Sequence, residues 1–385
     1  MSDLDSGIEP MALAKERLPE FAAHHGAKHR LLREYIQVWL PKLGYSYPQI
    51  AIVDCFASAG RYRSGETGSP LTMLNAYCGW NPSKRLQRPP HFVFIEKRRE
   101  FAQHLRSEIG QLSDLRGAEV DVLHGRYEDA FPKVIDLLAT KYRQPVPTFA
   151  FVDPKGWAEN PFELIASFRD RIGEKAEALI YLPARFMARF AKEDFVRQSL
   201  EKLYGGPSLE EAIEKDDERG ALSAAERLAE AYRQRLKADH FEWATRFRIN
   251  PVRRNEYYLL FGSGDINGLR EMKRAMWHVD PVGGQAYEQD ALAAVGHRQL
   301  FSTAGVGALP SEERLIALLR AHFGQQKFRI EAAEEFTLTQ TRYLDKPHLR
   351  RWALIPLQDA GELEILSGGR GRRGQFPPGT EMRIV

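Results

Sequence analysis

Cysteine is scarce here: two in 385 residues, Cys55 and Cys78, neither in a ligand-spaced cluster. That excludes a zinc finger or a cysteine-held iron–sulfur site and argues against a disulfide framework. Long apolar runs are missing as well. None approaches the roughly 18–20 residues that a membrane helix needs. The stretch Met1–Pro10 is acidic and has no apolar core, so it does not read as a secretion signal, and the chain is expected to be cytoplasmic. Charge of one sign is also lacking. A net charge of +3 is too small to establish a nucleic-acid partner, so any electrostatic case must rest on local patches. There is no internal repeat and no long low-complexity tract. A hydrophobic fraction of 43% with 28% charged residues leaves an ordinary globular protein. The length allows two or three domains, one of them large enough to bury a doubly wound sheet.

What is present is alternation. Leu31, Leu32, Tyr35, Ile36, Trp39 and Leu40 recur at helical spacing over 28–40, and Pro41 is expected to end that helix. Short buried strands follow at Ile50–Val53, His91–Ile95, Val120–Leu123, Thr148–Val152 and Ala178–Leu182, with helical segments between them. Ser69 can cap one of these helices, with Pro70 at its first position. Strands alternating with helices predict an α/β fold, a Rossmann-like parallel sheet covered on both faces. Phe241–Ile249 and Tyr257–Gly262 read as a closing antiparallel hairpin. The expected organisation is an N-terminal extension (1–27), an α/β domain (28–280) with a charged helical insertion at about 185–240, a linker (281–309) and a C-terminal domain (310–385). In that last segment helix, strand, helix, helix, strand, basic loop and strand follow in the order of a winged helix–turn–helix.

Polar residues gather at the carboxyl ends of the strands, where open α/β sheets bind ligands. After the first strand, Asp54 is followed by Phe56, Ala57, Ser58, Ala59, Gly60 and Tyr62, mostly small residues that let a nucleoside cofactor approach the backbone. Asp54 can bind a cationic tail. A plain strand-to-helix turn is the competing reading. Glu96, with Lys97 beside it, ends the next strand and can accept hydrogen bonds from a ribose diol. Tyr127 and Glu128 end the third, where an acid can accept from an adenine amino group, although an acid at a helix start needs no ligand to explain it. Asp153-Pro154-Lys155-Gly156-Trp157 ends the fourth. Asp153 can orient or deprotonate a nucleophile, Lys155 lies beside it, and Trp157 can stack on a planar target for about 1–3 kcal/mol. No residue set suggests a metal site.

These motifs resemble the three-Cys-motif partner proteins: Lys28-His29, Asp54-x-Phe56-Ala57-x-x-Gly60-Arg61-Tyr62, Gly68-Ser69-Pro70, Phe94-Ile95-Glu96, Asp153-Pro154-x-Gly156 and the run Arg372-Arg373-Gly374-Gln375-Phe376-Pro377. In that family the three-cysteine motif belongs to a partner encoded nearby, which agrees with the cysteine poverty here. The first half is also similar to large-subunit ribosomal RNA adenine-amino methyltransferases. This second resemblance implies class I binding of S-adenosylmethionine (SAM) through Lys28 or His29, Ser69, Glu96 and Glu128, with Asp153 catalytic. Two departures stand out. Ser58 occupies a position where both families usually carry Gly. Lys155-Gly156-Trp157 moves the aromatic residue of the acceptor motif one place later.

Arg370, Arg372 and Arg373 in the glycine-rich loop, with Arg350 and Arg351 before it, can contact phosphates. Three readings follow: a SAM-dependent methyltransferase acting on DNA or structured RNA, a non-catalytic nucleic-acid-binding partner of a three-cysteine protein, and a methyltransferase of a small molecule or peptide.

Overall fold

The computed structural model describes residues 15–79, 86–144, 146–156, 160–191, 193–205, 223–250, 256–281, 284–288, 312–368 and 373–385. The chain divides into two compact units, Met1–Asp265 and Ile266–Val385.

The first unit is built on a sheet whose strands are β1 (Ala51–Asp54), β2 (His91–Glu96), β3 (Glu119–His124), β4 (Thr148–Val152), β5 (Ala176–Leu182), β6 (Trp243–Asn250) and β7 (Tyr257–Ser263). They lie in the order β3-β2-β1-β4-β5-β7-β6. The first five are parallel, and β7 runs antiparallel between β5 and β6. This is the expected Rossmann-like sheet, hairpin included. Every residue of β1, β2, β4 and β5 is buried, as a parallel sheet covered on both faces requires. Strand order reverses between β1 and β4, so a crevice opens at their carboxyl ends. Asp54 pairs in register with Phe94 of β2 and Phe151 of β4. The polar residues after these three strands therefore share one edge.

The first helix, α1, spans Ala23–Gly44 with Pro41 inside it. It is longer than expected at both ends. A proline removes only one hydrogen bond donor, and the last turn still closes through Tyr45 N–H donating to the Pro41 carbonyl at 3.1 Å. The buried stripe of Leu31, Leu32, Tyr35, Ile36, Trp39 and Leu40 holds the rest. Helix α2 (Ser69–Cys78) begins one residue earlier than expected, with Gly68 rather than Ser69 at the cap. Helices α3 (Arg99–Gly110) and α4 (Tyr127–Tyr142) follow β2 and β3. In the region read as a helical insertion, helices cover Ala184–Phe190, Asp194–Tyr204 and Ala224–Asp239. Among the described residues no helix is long and apolar enough to cross a membrane.

The second unit begins with the helix Ile266–Val279, which the sequence reading placed with the α/β domain. Buried polar contacts show why it belongs here. Lys273 is 4% exposed, and its Nζ donates to the carbonyls of Leu338, Thr341 and Tyr343 at 2.8, 2.8 and 2.6 Å. These close the carboxyl end of the helix Ile330–Gln340. Arg270 Nε donates to the buried Asp345 carboxylate at 2.6 Å. The remaining elements are the helix Glu312–Phe323, the strand Phe328–Arg329, the π-helical turn Leu349–Leu354 continuing as the helix Ile355–Asp359, and the strands Leu363–Ser367 and Glu381–Ile384. Glu381–Ile384 pairs antiparallel with both other strands.

Two expectations follow. Lys273→Met leaves several buried carbonyls without a donor and is expected to cost about 3 kcal/mol, read as an earlier unfolding transition in denaturant. In the first unit, Glu177 is buried in β5 and accepts from Tyr35 Oη at 2.6 Å and Ser263 Oγ at 3.1 Å. Burial pushes its carboxyl from 4.5 up to about 7, against the pull of those hydroxyls. The folded state then holds a proton that the unfolded state releases, so stability is highest below pH 4.5 and falls as pH rises through 7. Glu177→Gln removes this contribution. The stability difference between variant and parent should change by roughly 3 kcal/mol between pH 4 and pH 8 in denaturant titrations at the two pH values.

Candidate functional site

At the end of β1 the chain turns sharply, and three backbone bonds pin the turn. Cys55 N–H donates to the Phe151 carbonyl at 2.9 Å, Ala57 N–H to that of Ile95 at 2.8 Å, and Gly68 N–H to that of Gly60 at 2.7 Å. The loop is thus tied to β4, to β2 and to the start of α2. Gly60 has φ +78°, and a Cβ there would lie 2.6 Å from Leu105 Cδ1. Ser58 also sits in the left-handed region at φ 55°, a conformation that costs a non-glycine residue roughly 1–2 kcal/mol. Its hydroxyl is buried with no hydrogen-bond partner among the described residues. This accounts for the glycine that the resembling families carry at that place.

The loop forms one wall of a cavity of about 380 Å³ at the carboxyl edge of the sheet. Of the residues expected to bind a cofactor, Lys28, Phe56, Ala57, Gly60, Tyr62, Ser69, Glu96, Lys97, Tyr127, Glu128 and Asp153 line it, and so does Lys155. Glu96 is 8% exposed, and its Oε1 accepts from Arg98 N–H at 2.7 Å. Tyr127 packs against Phe56 with ring centroids 5.0 Å apart. Glu128 Oε1 accepts from Arg126 Nη2 at 2.7 Å. Lys155 is exposed and lies with its Nζ 5.5 Å from the centroid of Phe101.

Two expected ligands lie behind this wall. Asp54 is fully buried and does not line the cavity. Its Oδ1 accepts from Phe56 N–H at 3.1 Å, and its Oδ2 has no partner among the described residues. Burial pushes its carboxyl up to about 7. His29 is likewise buried behind Tyr62, with ring centroids 5.8 Å apart. Trp157 lies outside the described residues.

Within the cavity lining, Lys28 Nζ forms an ion pair with Asp153 Oδ2. The Lys28 side chain is 3% exposed and that of Asp153 18%. The ammonium also stands 4.4 Å from the centroid of Tyr181. Around it lies a ring cluster that the sequence reading missed. His24, His25 and Tyr181 line the cavity. The helical spacing of Ala-His24-His25-Gly-Ala-Lys28-His29 carried the signal, since residues three and four apart share a face. Starting the helix at Lys28 concealed it. Burial, helped by the Lys28 charge, lowers His24 to about 4, His25 to about 2 and His29 to about 3. All three imidazoles are therefore neutral at neutral pH.

The arginines expected to contact nucleic acid belong to the second unit. Arg373 Nε donates to Asp359 Oδ1 at 2.6 Å. Arg350 Nη2 lies 3.3 Å from the Phe376 carbonyl and 3.5 Å from Glu334 Oε1. Arg351 is exposed, and Arg370 and Arg372 lie outside the described residues. At the far end of β2, His91 Nε2 is 2.9 Å from Asp121 Oδ2 and 3.7 Å from Glu119 Oε1. Lys141 already pairs with Glu119 there.

No family model and no curated protein matches the chain. Among solved structures, the chain is similar to the O-methyltransferase TomG from Streptomyces achromogenes, in complex with SAM. The TM-score is 0.32 at 16% identity, over 64% of this chain and 92% of that one. It is also similar to an O-methyltransferase from Bacillus cereus in complex with SAH, with TM-score 0.31 at 15% identity, over 60% of this chain and 80% of that one. Scores of this size carry no argument, and the fold class rests on the strand order and register.

The loop geometry predicts opposite outcomes for two neighbouring substitutions. Gly60→Ala forces a Cβ into Leu105 and should destabilise the protein by about 1–3 kcal/mol. Ser58→Gly relieves a left-handed serine and removes a buried unpaired hydroxyl. It should raise stability by about 1 kcal/mol after glycine's own entropic cost. Thermal unfolding of the two variants beside the parent checks both signs.

Proposed function

We propose that the first unit is a SAM-dependent methyltransferase. The observation that carries this reading is Glu96. It is an almost buried carboxylate at the carboxyl end of β2, lining a cavity whose other wall is a tight small-residue loop after β1. That is the placement that a ribose diol requires. The residues fit the cofactor in other respects. Asp54 lies behind the loop and not in the cavity, and places an acidic group under the β1 turn, suited to act on the cationic methionyl end through the loop. Tyr127 and Glu128 line the part of the cavity formed after β3, suited to adenine. Ser69, Lys97 and the Ala57 backbone complete the set.

When bound, SAM supplies an electrophilic methyl group. The chain's own part is to place a nucleophile against it and to hold the proton that the nucleophile gives up. We assign that proton to Asp153, with Lys28 fixing the carboxylate through Oδ2 and leaving Oδ1 for the acceptor. The neutral imidazoles at His24 and His25 add no positive charge near a sulfonium.

The sequence reading expected a nucleic-acid acceptor, and the element order of the second unit favours it. The order helix, strand, helix, helix, strand and strand, with the last strand central, supports the expected winged helix. Arg351 supports phosphate contact there, while Arg350 and Arg373 already bind acids. The resemblance to three-Cys-motif partner proteins rests on the motif residues alone and adds the expectation of a complex with a cysteine-motif protein encoded nearby.

Titration calorimetry should find SAM and S-adenosylhomocysteine binding at micromolar concentrations. Glu96→Ala should weaken it tenfold or more, about 1.4 kcal/mol. Asp153→Asn, which keeps a polar partner for Lys28, should lose roughly 10²–10⁴ in turnover, read as loss of a methylated nucleoside when the variant replaces the parent in cells. A folded protein that binds neither cofactor form at high micromolar concentration would sink the reading. Nucleic-acid binding that fails to weaken between 50 and 200 mM salt would remove the phosphate-contact role of the second unit.

A further inference from the structure

The part of the cavity around Asp153 is walled by rings. His25 and Tyr62 stack with centroids 5.0 Å apart and planes at 23°. Tyr181 stacks on Tyr257 at 5.4 Å and 26°, and His24 lies 4.6 Å from Tyr257. His24, His25, Tyr62 and Tyr181 all line the same cavity as Asp153. The rings are held in place. His25 Nδ1 accepts from Ala22 N–H at 3.0 Å at the start of α1, and Lys28 Nζ sits over the Tyr181 face. Burial raises the phenols of Tyr62 and Tyr181, and in both the next cause is the negative charge of Asp153. Both rings therefore lie close enough to the carboxylate to feel it, and both keep their protons.

Charge narrows what can enter. Asp153 and Lys28 already neutralise each other, so neither a cationic nor an anionic acceptor would meet a free counter-charge in exchange for its hydration. The imidazoles carry no charge to offset either. A ring-walled space beside a carboxylate suits a flat neutral partner that carries its own N–H or O–H.

We propose that this wall is the acceptor site, that its ligand is a neutral planar ring bearing the nucleophile, and that His25 and Tyr181 select it. The proposal rests on the methyltransferase reading. A ring of this kind comes from a base within a nucleic-acid strand or from a free aromatic compound, and the chemistry shared by the two sources is the planar ring with an exchangeable proton.

The test uses the full chain, first titrated with S-adenosylhomocysteine and then kept saturated with it so that the cofactor region is filled. Adenosine, cytidine and catechol are compared with ethanolamine and cyclohexanol by saturation-transfer NMR and calorimetry. At least one of the three rings should bind ten times or more tighter than both non-planar compounds. Tyr181→Leu and His25→Leu should each weaken that ring at least fivefold, with the cofactor homologue bound within twofold of the parent value. Tyr181→Phe, which keeps the stack, should retain ring affinity. A twelve-nucleotide single strand binding tenfold tighter than the free nucleoside identifies the source as a base in a strand, and equal or weaker binding identifies a free ring.

Loss of the first titration, with no homologue bound, marks failure of the methyltransferase reading. With the homologue bound, three results overturn the acceptor assignment itself. These are no ring bound, ethanolamine or cyclohexanol bound as tightly as the rings, or both leucine variants leaving ring affinity unchanged.

Discussion

A buried ammonium must be paired, and in this protein the pairing of Lys28 with Asp153 is what organises the site. Lys28 leaves α1 with its side chain 3% exposed, and the isolated charge would be untenable at that depth. The carboxylate that answers it stands immediately after β4, at the edge where strand order reverses. The pair therefore anchors the first helix to the functional edge of the sheet. Losing either partner leaves the other charge buried and unmatched, a cost of roughly 3–5 kcal/mol in comparable cases. The ring cluster follows from the same constraint. With Lys28 fixed, His24 and His25 fall one turn earlier on the helix and face Tyr62 and Tyr181. The Lys28 charge also helps keep them neutral.

The sheet was legible in the sequence because a parallel strand covered on both faces is written as an uninterrupted apolar run. Ile52-Val53, Phe92–Ile95 and Phe149–Val152 each end in a polar residue, and each ends at the same edge. Glu96 and Asp153 could be read from that alone. Three things could not. The start of α1 was misjudged because its first turns are polar and show no apolar stripe, so His24 and His25 were passed over. Asp54 has the residue type of a ligand, but depth along a strand end is a tertiary property, and it lies behind the loop it introduces. The helix Ile266–Val279 looks from its sequence like one more element of the α/β domain. Its membership of the second unit depends on Lys273 meeting carbonyls more than sixty residues away.

The basic loop shows the same limit in another form. Arg373 and Arg350 stood out as cations in the sequence, where their acids are not adjacent. Asp359 lies fourteen residues from Arg373 and Glu334 sixteen from Arg350, and the fold brings each pair together. A local excess of arginine is thus partly cancelled by partners that only the structure supplies. Exposed pairs of this kind contribute little to stability, about 0–1 kcal/mol each. They matter more for what they remove from the electrostatic footprint offered to phosphate.

The unmatched groups at the loop after β1 point the same way as the paired ones. Ser58 is held in a left-handed conformation with a buried hydroxyl that finds no partner, and Asp54 buries an oxygen in the same condition. Each imposes a cost that a purely structural turn would have no reason to retain. Asp54 is also raised by burial and, to a smaller extent, by the charge of Asp153. On the methyltransferase reading, the loop is one wall of the cavity and Glu96 at the end of β2 is the carboxylate that its ligand meets. The strain of the loop and the shape of the cavity it walls are two consequences of one arrangement.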